Sequence, residues 1–221
     1  MGLKAKLTFR LLTGVLVFGA VLFIPAGSFK FWQGWAYLLI WMVPGLSAFA
    51  YAYKHDLKLI ERRMEVKEKV PAQKLIMKFI YLIYLAAILL PGLDYRFGWS
   101  HVPLWLTVVS QAVVFLGFAT TIWVLLVNSF ASRTIQVEPG QQVISTGPYS
   151  IVRHPMYLGA SVMLLFTSMA LGSFVALPIF ALLIPFIVLR LLNEEKVLRL
   201  ELAGYSEYCS RTQFRLIPFV W

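Results

Sequence analysis

Two short runs near the C-terminal end hold the residue types that could grip a charged ligand. The first is Gly147-Pro148-Tyr149-Ser150-Ile151-Val152-Arg153-His154-Pro155-Met156-Tyr157-Leu158-Gly159. Gly147-Pro148 predicts a turn, and Pro155 suits the first position of a helix, where a missing N–H costs nothing. The residues just before Pro155 then face the free N–H groups and positive dipole end of that helix, a place suited to a carboxylate or phosphate. Arg153 reinforces it. Other readings of the same residues are structural: Arg153 and His154 as interfacial caps, Tyr149 and Tyr157 as aromatic-belt residues, and Gly159 as a close helix contact.

The second run is Arg190-Leu191-Leu192-Asn193-Glu194-Glu195. An ionisable cluster where an apolar helix leaves the membrane is costly unless it is paired or useful. Arg190 and Glu194 share one helix face. As an ion pair they have the weaker orientation, with the cation N-terminal; as a site they would hold two different ligand groups. Leu198, Leu202, Tyr205 and Cys209 recur at helical spacing beyond them, interrupted by Gly204, and predict a cytosolic helix packed against the site. Cys209 is the single cysteine, which excludes an intrachain disulfide and a cysteine-rich metal centre.

The elements that must position these residues are membrane spans. Of 221 residues 60% are hydrophobic and only 14% charged, too few polar groups to cover a soluble domain of this size. Spans are predicted at 7–26, 32–53, 75–93, 103–127, 156–177 and 178–192, the first five near the ~20 residues a bilayer requires. The last two are almost continuous through Gly172, Ser173 and Pro178, and form either a tight hairpin or a kinked span with a re-entrant piece. The expected fold is therefore all-α: a polytopic transmembrane bundle of five to six spans, with a cytosolic pocket made by loops and helix ends. Residues 1–127 supply N-terminal spans and residues 128–221 the catalytic region.

With the N-terminus inside, the outward loops carry only Lys30 and Arg96, and 18 of the 20 basic residues lie inside. Both termini and the polar interval Asn128–His154 are then cytoplasmic. The N-terminal apolar run lacks a clear cleavage site and is expected to remain as the first span. Near 54–74, Leu57, Ile60 and Met64 alternate with Lys58, Arg62, Arg63, Lys67 and Lys69 to give an amphipathic helix on an anionic leaflet, ended by Pro71. Trp32, Trp35, Trp41, Trp99 and Trp105 are expected in the aromatic belts. The formal charge of +10 is spent on these anchors, so membrane lipids rather than nucleic acid are the expected partners. An oligomeric state is not set by the sequence.

Taken together the two runs resemble the isoprenylcysteine carboxyl methyltransferase and phospholipid methyltransferase group of membrane enzymes. The pattern is Gly147-x-Tyr149, Arg153-His-Pro-x-Tyr-x-Gly159, a helical hairpin, Arg190-x-x-x-Glu194-Glu195, Gly204 to Tyr208 and Pro218. It covers about residues 128–221. The resemblance implies S-adenosylmethionine as cofactor, wrapped by Tyr149, Arg153, His154, Pro155 and Tyr157, with Glu194 contacting it from the next helix. Gln141, Val143 and Ile144 match the family's strand-like cofactor segment, although the family often has a histidine where Gln141 stands. Arg190 matches the position that engages the substrate's anionic group. Methyl transfer to a carboxylate needs positioning and charge neutralisation rather than a covalent catalyst. An amine acceptor would need a base, for which Glu195 or His154 are the candidates. The expected acceptor is lipophilic and enters from the bilayer, with a carboxylate favoured over a phospholipid amine. Sterol reductases using NADPH share part of the C-terminal pattern and form the rival class. A transporter is disfavoured, because the spans carry almost no ionisable residues.

Overall fold

The computed structural model describes residues 3–64, 71–132 and 134–221, and among these every regular element is helical. The order is α1 (Leu3–Ala26), α2 (Trp32–His55), α3 (Leu57–Met64), α4 (Pro71–Phe97), α5 (Leu104–Val127), α6 (Pro155–Ala170), α7 (Leu177–Ala181), α8 (Leu183–Glu201) and α9 (Tyr205–Arg211). A single 3-10 turn, Gly147–Ser150, precedes α6. Among the described residues, four stretches are long and apolar enough to cross a bilayer: Trp32–His55, Gln73–Phe97, Leu104–Val127 and Leu177–Glu201. Leu12–Ala26 and Pro155–Ala170 are shorter apolar helices. Together these helices agree with the expected five to six spans.

Apolar side chains point outward as freely as inward. Leu16 and Ile24 are both 73% exposed, an arrangement that lipid rather than water makes favourable. Inside, Leu22, Phe31, Tyr37, Ile88, Val114, Leu171 and Phe180 form a core that joins α1, α2, α4, α5, α6 and α7. Backbone contact is closest between α5 and α6. A Cβ on Gly117 would lie 3.0 Å from the Gly159 carbonyl oxygen, and one on Gly159 would lie 2.8 Å from that of Gly117. Only glycine permits this approach, so Gly159 acts as a packing residue.

At the end that carries the 98–103 loop, a buried carboxylate ties three segments together. Asp94 accepts from the Ser100 N–H at 2.7 Å, the Ser100 hydroxyl at 2.5 Å and the Ser173 hydroxyl at 2.5 Å. The Ser168 hydroxyl closes the same turn on the Ser173 carbonyl. This turn resolves the open point about the last hairpin. Gly172, at φ +78°, ends α6 well before residue 177, and the chain returns through α7 directly into α8.

Two expectations are corrected. Pro71 opens α4 instead of merely ending the basic helix, because proline is tolerated where no helical N–H bond is due. That helix is seen as α3, and the rest of it, with Lys67 and Lys69, lies outside the described residues. Trp41 is not a belt residue: it packs inward, 4.5 Å from the Phe118 ring. Trp32, Trp35, Trp99 and Trp105 do lie exposed near helix ends.

Candidate active site

The opposite end of the bundle is built from the 128–146 segment, the start of α6, the end of α8, α9 and the C-terminal tail. Asn128 closes α5 and turns its amide to Tyr149, donating from Nδ2 to the hydroxyl at 2.9 Å. The Tyr149 carbonyl accepts the Tyr208 hydroxyl at 2.7 Å. The 3-10 turn is thereby held from both sides, by α5 and by α9. Pro155 starts α6 and His154 precedes it as N-cap without a side-chain cap bond. Backbone N–H groups of Arg153 and His154 donate to the carbonyls of Phe214 and Arg215, each at 2.9 Å, and so dock the tail beside the site.

Behind this wall sits Glu195, only 4% exposed. One of its oxygens lies 3.2 Å from Arg153 Nε and 3.3 Å from His154 Nε2; the other accepts from Arg215 Nε at 3.0 Å. Three nitrogen-bearing side chains from two segments thus converge on one carboxylate. Its neighbour Glu194, one residue earlier and rotated on the helix, faces the other way and accepts the Tyr157 hydroxyl at 2.6 Å. Arg190, one turn earlier, donates from Nη1 to Gln73 Oε1 of α4 at 3.0 Å. Arg190 thus reaches across to α4, and Glu194 to α6.

These side chains surround a cavity. Of the eleven residues singled out above, ten line it: Gln141, Val143, Ile144, Tyr149, Arg153, His154, Pro155, Tyr157, Arg190 and Glu194. Glu195 does not; it braces the wall from behind. Segment 141–144 has no regular secondary structure, and Gln141 uses its side-chain oxygen to accept the Glu138 N–H at 3.0 Å. Tyr205 also lines the cavity, 4% exposed, with a hydroxyl that has no partner among the described residues. Burial pushes the Tyr149 hydroxyl up to about 12, with the Glu194 charge adding to the rise against the Asn128 hydrogen bond, and burial likewise raises Tyr205 and Tyr208. All three stay protonated at neutral pH and serve as neutral hydrogen-bonding groups.

A second cavity, of about 280 Å³ and almost wholly apolar, lies within the membrane-spanning bundle between α2, α4, α6 and α8. It reaches from Arg190 and Tyr157 to Tyr37 and Thr167. The Tyr37 hydroxyl meets Thr167 Oγ1 at 2.9 Å, and Thr167 Oγ1 donates to the Met163 carbonyl at 2.7 Å. Arg190 and Tyr157 line both cavities, so the two chambers meet at these side chains.

Sequence reasoning missed Gln73, Asn128 and the role of Arg215. A neutral amide among apolar residues at a span's start was the available signal for Gln73, and an Asn directly after an apolar run was that for Asn128. The docking of the tail through the Phe214 and Arg215 carbonyls left no side-chain signature.

The fold and this site define a polytopic membrane protein with a polar ligand chamber at one end of the bundle and an apolar chamber beside it. Residues 105–200 match the model of the isoprenylcysteine carboxyl methyltransferase (ICMT) family. The whole chain shares its fold with a solved structure of the eukaryotic intramembrane Ras methyltransferase ICMT, at 17% identity and a TM-score of 0.52, covering 100% of this chain and 88% of that one. Somewhat under half of the chain thus carries the ICMT family's pattern, and the whole chain has an ICMT-like helical membrane fold. It is also 34% identical over 92 residues to the Delta(14)-sterol reductase TM7SF2 of Mus musculus, a match covering 40% of this chain and 22% of that protein. The chain thus matches about a fifth of the length of that relative.

Proposed function

We propose that the protein methylates the carboxylate of a lipophilic acceptor, using S-adenosylmethionine in the polar chamber and receiving the acceptor's tail in the apolar one. The observation that carries this reading is the meeting of the two chambers at Tyr157 and Arg190. A membrane enzyme that joins a polar cofactor to an apolar substrate needs such a junction.

The residues suit the cofactor. The buried, unpartnered Tyr205 hydroxyl offers a donor to a polar ligand, since a buried group of this kind is costly unless paired. Glu194 presents a carboxylate suited to hydroxyl, amino or sulfonium groups, and the start of α6 suits a carboxylate. When bound, S-adenosylmethionine supplies a methyl group to the carboxylate oxygen and leaves as the thioether, with no proton exchanged. Arg190 orients and neutralises the acceptor carboxylate, Tyr157 holds Glu194 in place, and the apolar chamber keeps water from the reacting oxygen. Glu195 serves as the brace of the Arg153–His154 wall, and this placement lends no support to a base acting on an amine acceptor.

The likeness to a sterol reductase favours one rival, a reductase that binds NADPH. Calorimetric titration of the detergent-purified protein with S-adenosylhomocysteine and with NADPH separates the two. Binding of the first and not the second is expected; the reverse result overturns the proposal. The site is assigned to the cytoplasmic face on the distribution of basic residues. Single cysteines replacing exposed Gln142 and Ser210, in a Cys209→Ser background, should then label from that face of oriented vesicles.

A further inference from the structure

We infer that Gln73 is part of the acceptor site, where its side-chain amide and Arg190 together form a donor-only clamp for a carboxylate. The inference deepens the proposed function and rests on it. Gln73 lies on α4, outside the 105–200 segment matched by the family. Its side chain is fully buried, at 0% exposure.

The orientation of the amide follows from chemistry. A guanidinium has only hydrogens to offer, so the group facing Arg190 Nη1 at 3.0 Å must be the oxygen. The Nε2 hydrogens therefore point elsewhere, and Nε2 has no partner among the described residues. A buried donor left unpaired typically costs more than a made hydrogen bond returns. This cost is removed if a ligand atom next to Arg190 accepts from it.

The location decides which ligand. Arg190, 8% exposed, stands where the two chambers meet, so the reacting end of an acceptor lying in the apolar chamber ends beside it. A carboxylate there takes one oxygen to the guanidinium and offers the other to Gln73 Nε2, giving the orphan donor its acceptor. An amine would meet a cation and an N–H donor. Glu194, the only acidic residue lining either chamber among the described residues, lines the polar chamber and not the apolar one, and is given above to the cofactor. The clamp thus selects a lipophilic carboxylic acid against a lipophilic amine. Gln73 has a second duty, because its oxygen fixes the guanidinium in place.

Two substitutions test this. Gln73→Glu places a fixed carboxylate on Arg190, in competition with the acceptor's own. Gln73→Met keeps the volume and removes both amide contacts. The probe acceptor is a prenylated N-acetylcysteine, with its carboxamide as the control ligand, and S-adenosylhomocysteine affinity is measured in parallel by calorimetry. For the wild type, binding of the acid and not the amide is expected. Gln73→Met should raise the acceptor KM about ten- to a hundredfold, the loss of one hydrogen bond to a charged group. Gln73→Glu should raise it at least as much, and both should hold S-adenosylhomocysteine affinity within about twofold of wild type. Equal losses of cofactor affinity and thermal stability in both variants would make Gln73 a structural residue and overturn the inference. So would an unchanged KM in either variant, or wild-type protein that binds S-adenosylhomocysteine but not the acid. Failure of wild type to bind S-adenosylhomocysteine would instead remove the methyltransferase reading itself, and the clamp with it.

Discussion

Two buried carboxylates sit at opposite ends of this bundle, and they are satisfied in different ways. Asp94, 1% exposed, is held by neutral donors: one backbone N–H and two serine hydroxyls. Glu195, 4% exposed, is held by Arg153, His154 and Arg215. Each ties together segments far apart in the sequence. The neutral set makes a closure that asks nothing of its surroundings. The second set builds one wall of a ligand chamber, because Arg153 and His154 also line that chamber while Glu195 holds them from behind. The same residue chemistry therefore works as a latch at one end and as the back of a binding wall at the other.

The contrast breaks most clearly at Glu195. Glu195→Gln leaves Arg153 and Arg215 without their counter-charge, and losing one partner of a buried ion cluster costs about 3–5 kcal/mol. A large drop in Tm together with lost S-adenosylhomocysteine binding is expected by thermal shift. Glu194→Gln should do less and do it elsewhere. Affinity for S-adenosylhomocysteine falls roughly 10- to 150-fold, the worth of about 1.5–3 kcal/mol for a charged hydrogen-bond partner, while Tm moves little. If both variants shift Tm equally and binding equally, adjacent residues on one helix do not have the separate duties assigned here. Asp94→Asn should cost about 1–2 kcal/mol of stability, because one of its oxygens becomes a donor facing donors. Cofactor affinity should not change, and a change would mean that the far latch controls the chamber.

The smallest effect is expected from pH. Tyr149 has its folded pKa raised to about 12 from an ordinary value of 10.0. The stability tied to its protonated hydroxyl is therefore fully present below pH ~10 and lost as pH climbs toward ~12. Ligand affinity should be level from neutrality to about pH 9. Tyr149→Phe should remove this residue's part of the alkaline loss of stability in a base titration.

Much of this was legible in the sequence, for identifiable reasons. Periodicity and length gave the spans, because lipid enforces them on every helix. Pro155 after Gly147-Pro148 gave the helix start that faces the chamber. Arg190 and Glu194 stood out because charge is rare in such a helix. What escaped depends on partners that composition does not mark. Gln73 meets Arg190 across 117 positions of chain. Arg153 and His154 meet the tail through carbonyl oxygens, which every residue has. Glu194 and Glu195 look alike in sequence, and only their rotation on α8 sends one into the chamber and the other behind its wall.

The glycine pair of α5 and α6 has a mechanical consequence for that wall. α5 ends at Asn128, which holds Tyr149, and α6 begins at Pro155, only four residues before Gly159. Gly117 lies about ten residues from the end of α5, a lever of roughly 15 Å. With the backbones in contact at these glycines, the helices bear on each other at a fixed fulcrum, and the two lips of the chamber inherit its precision. A methyl group added at Gly117 would act as a shim. The displacement would be felt at the far end of the lever, as a hydrogen bond between Asn128 and Tyr149 stretched out of reach, with every residue of the chamber still in place in the sequence.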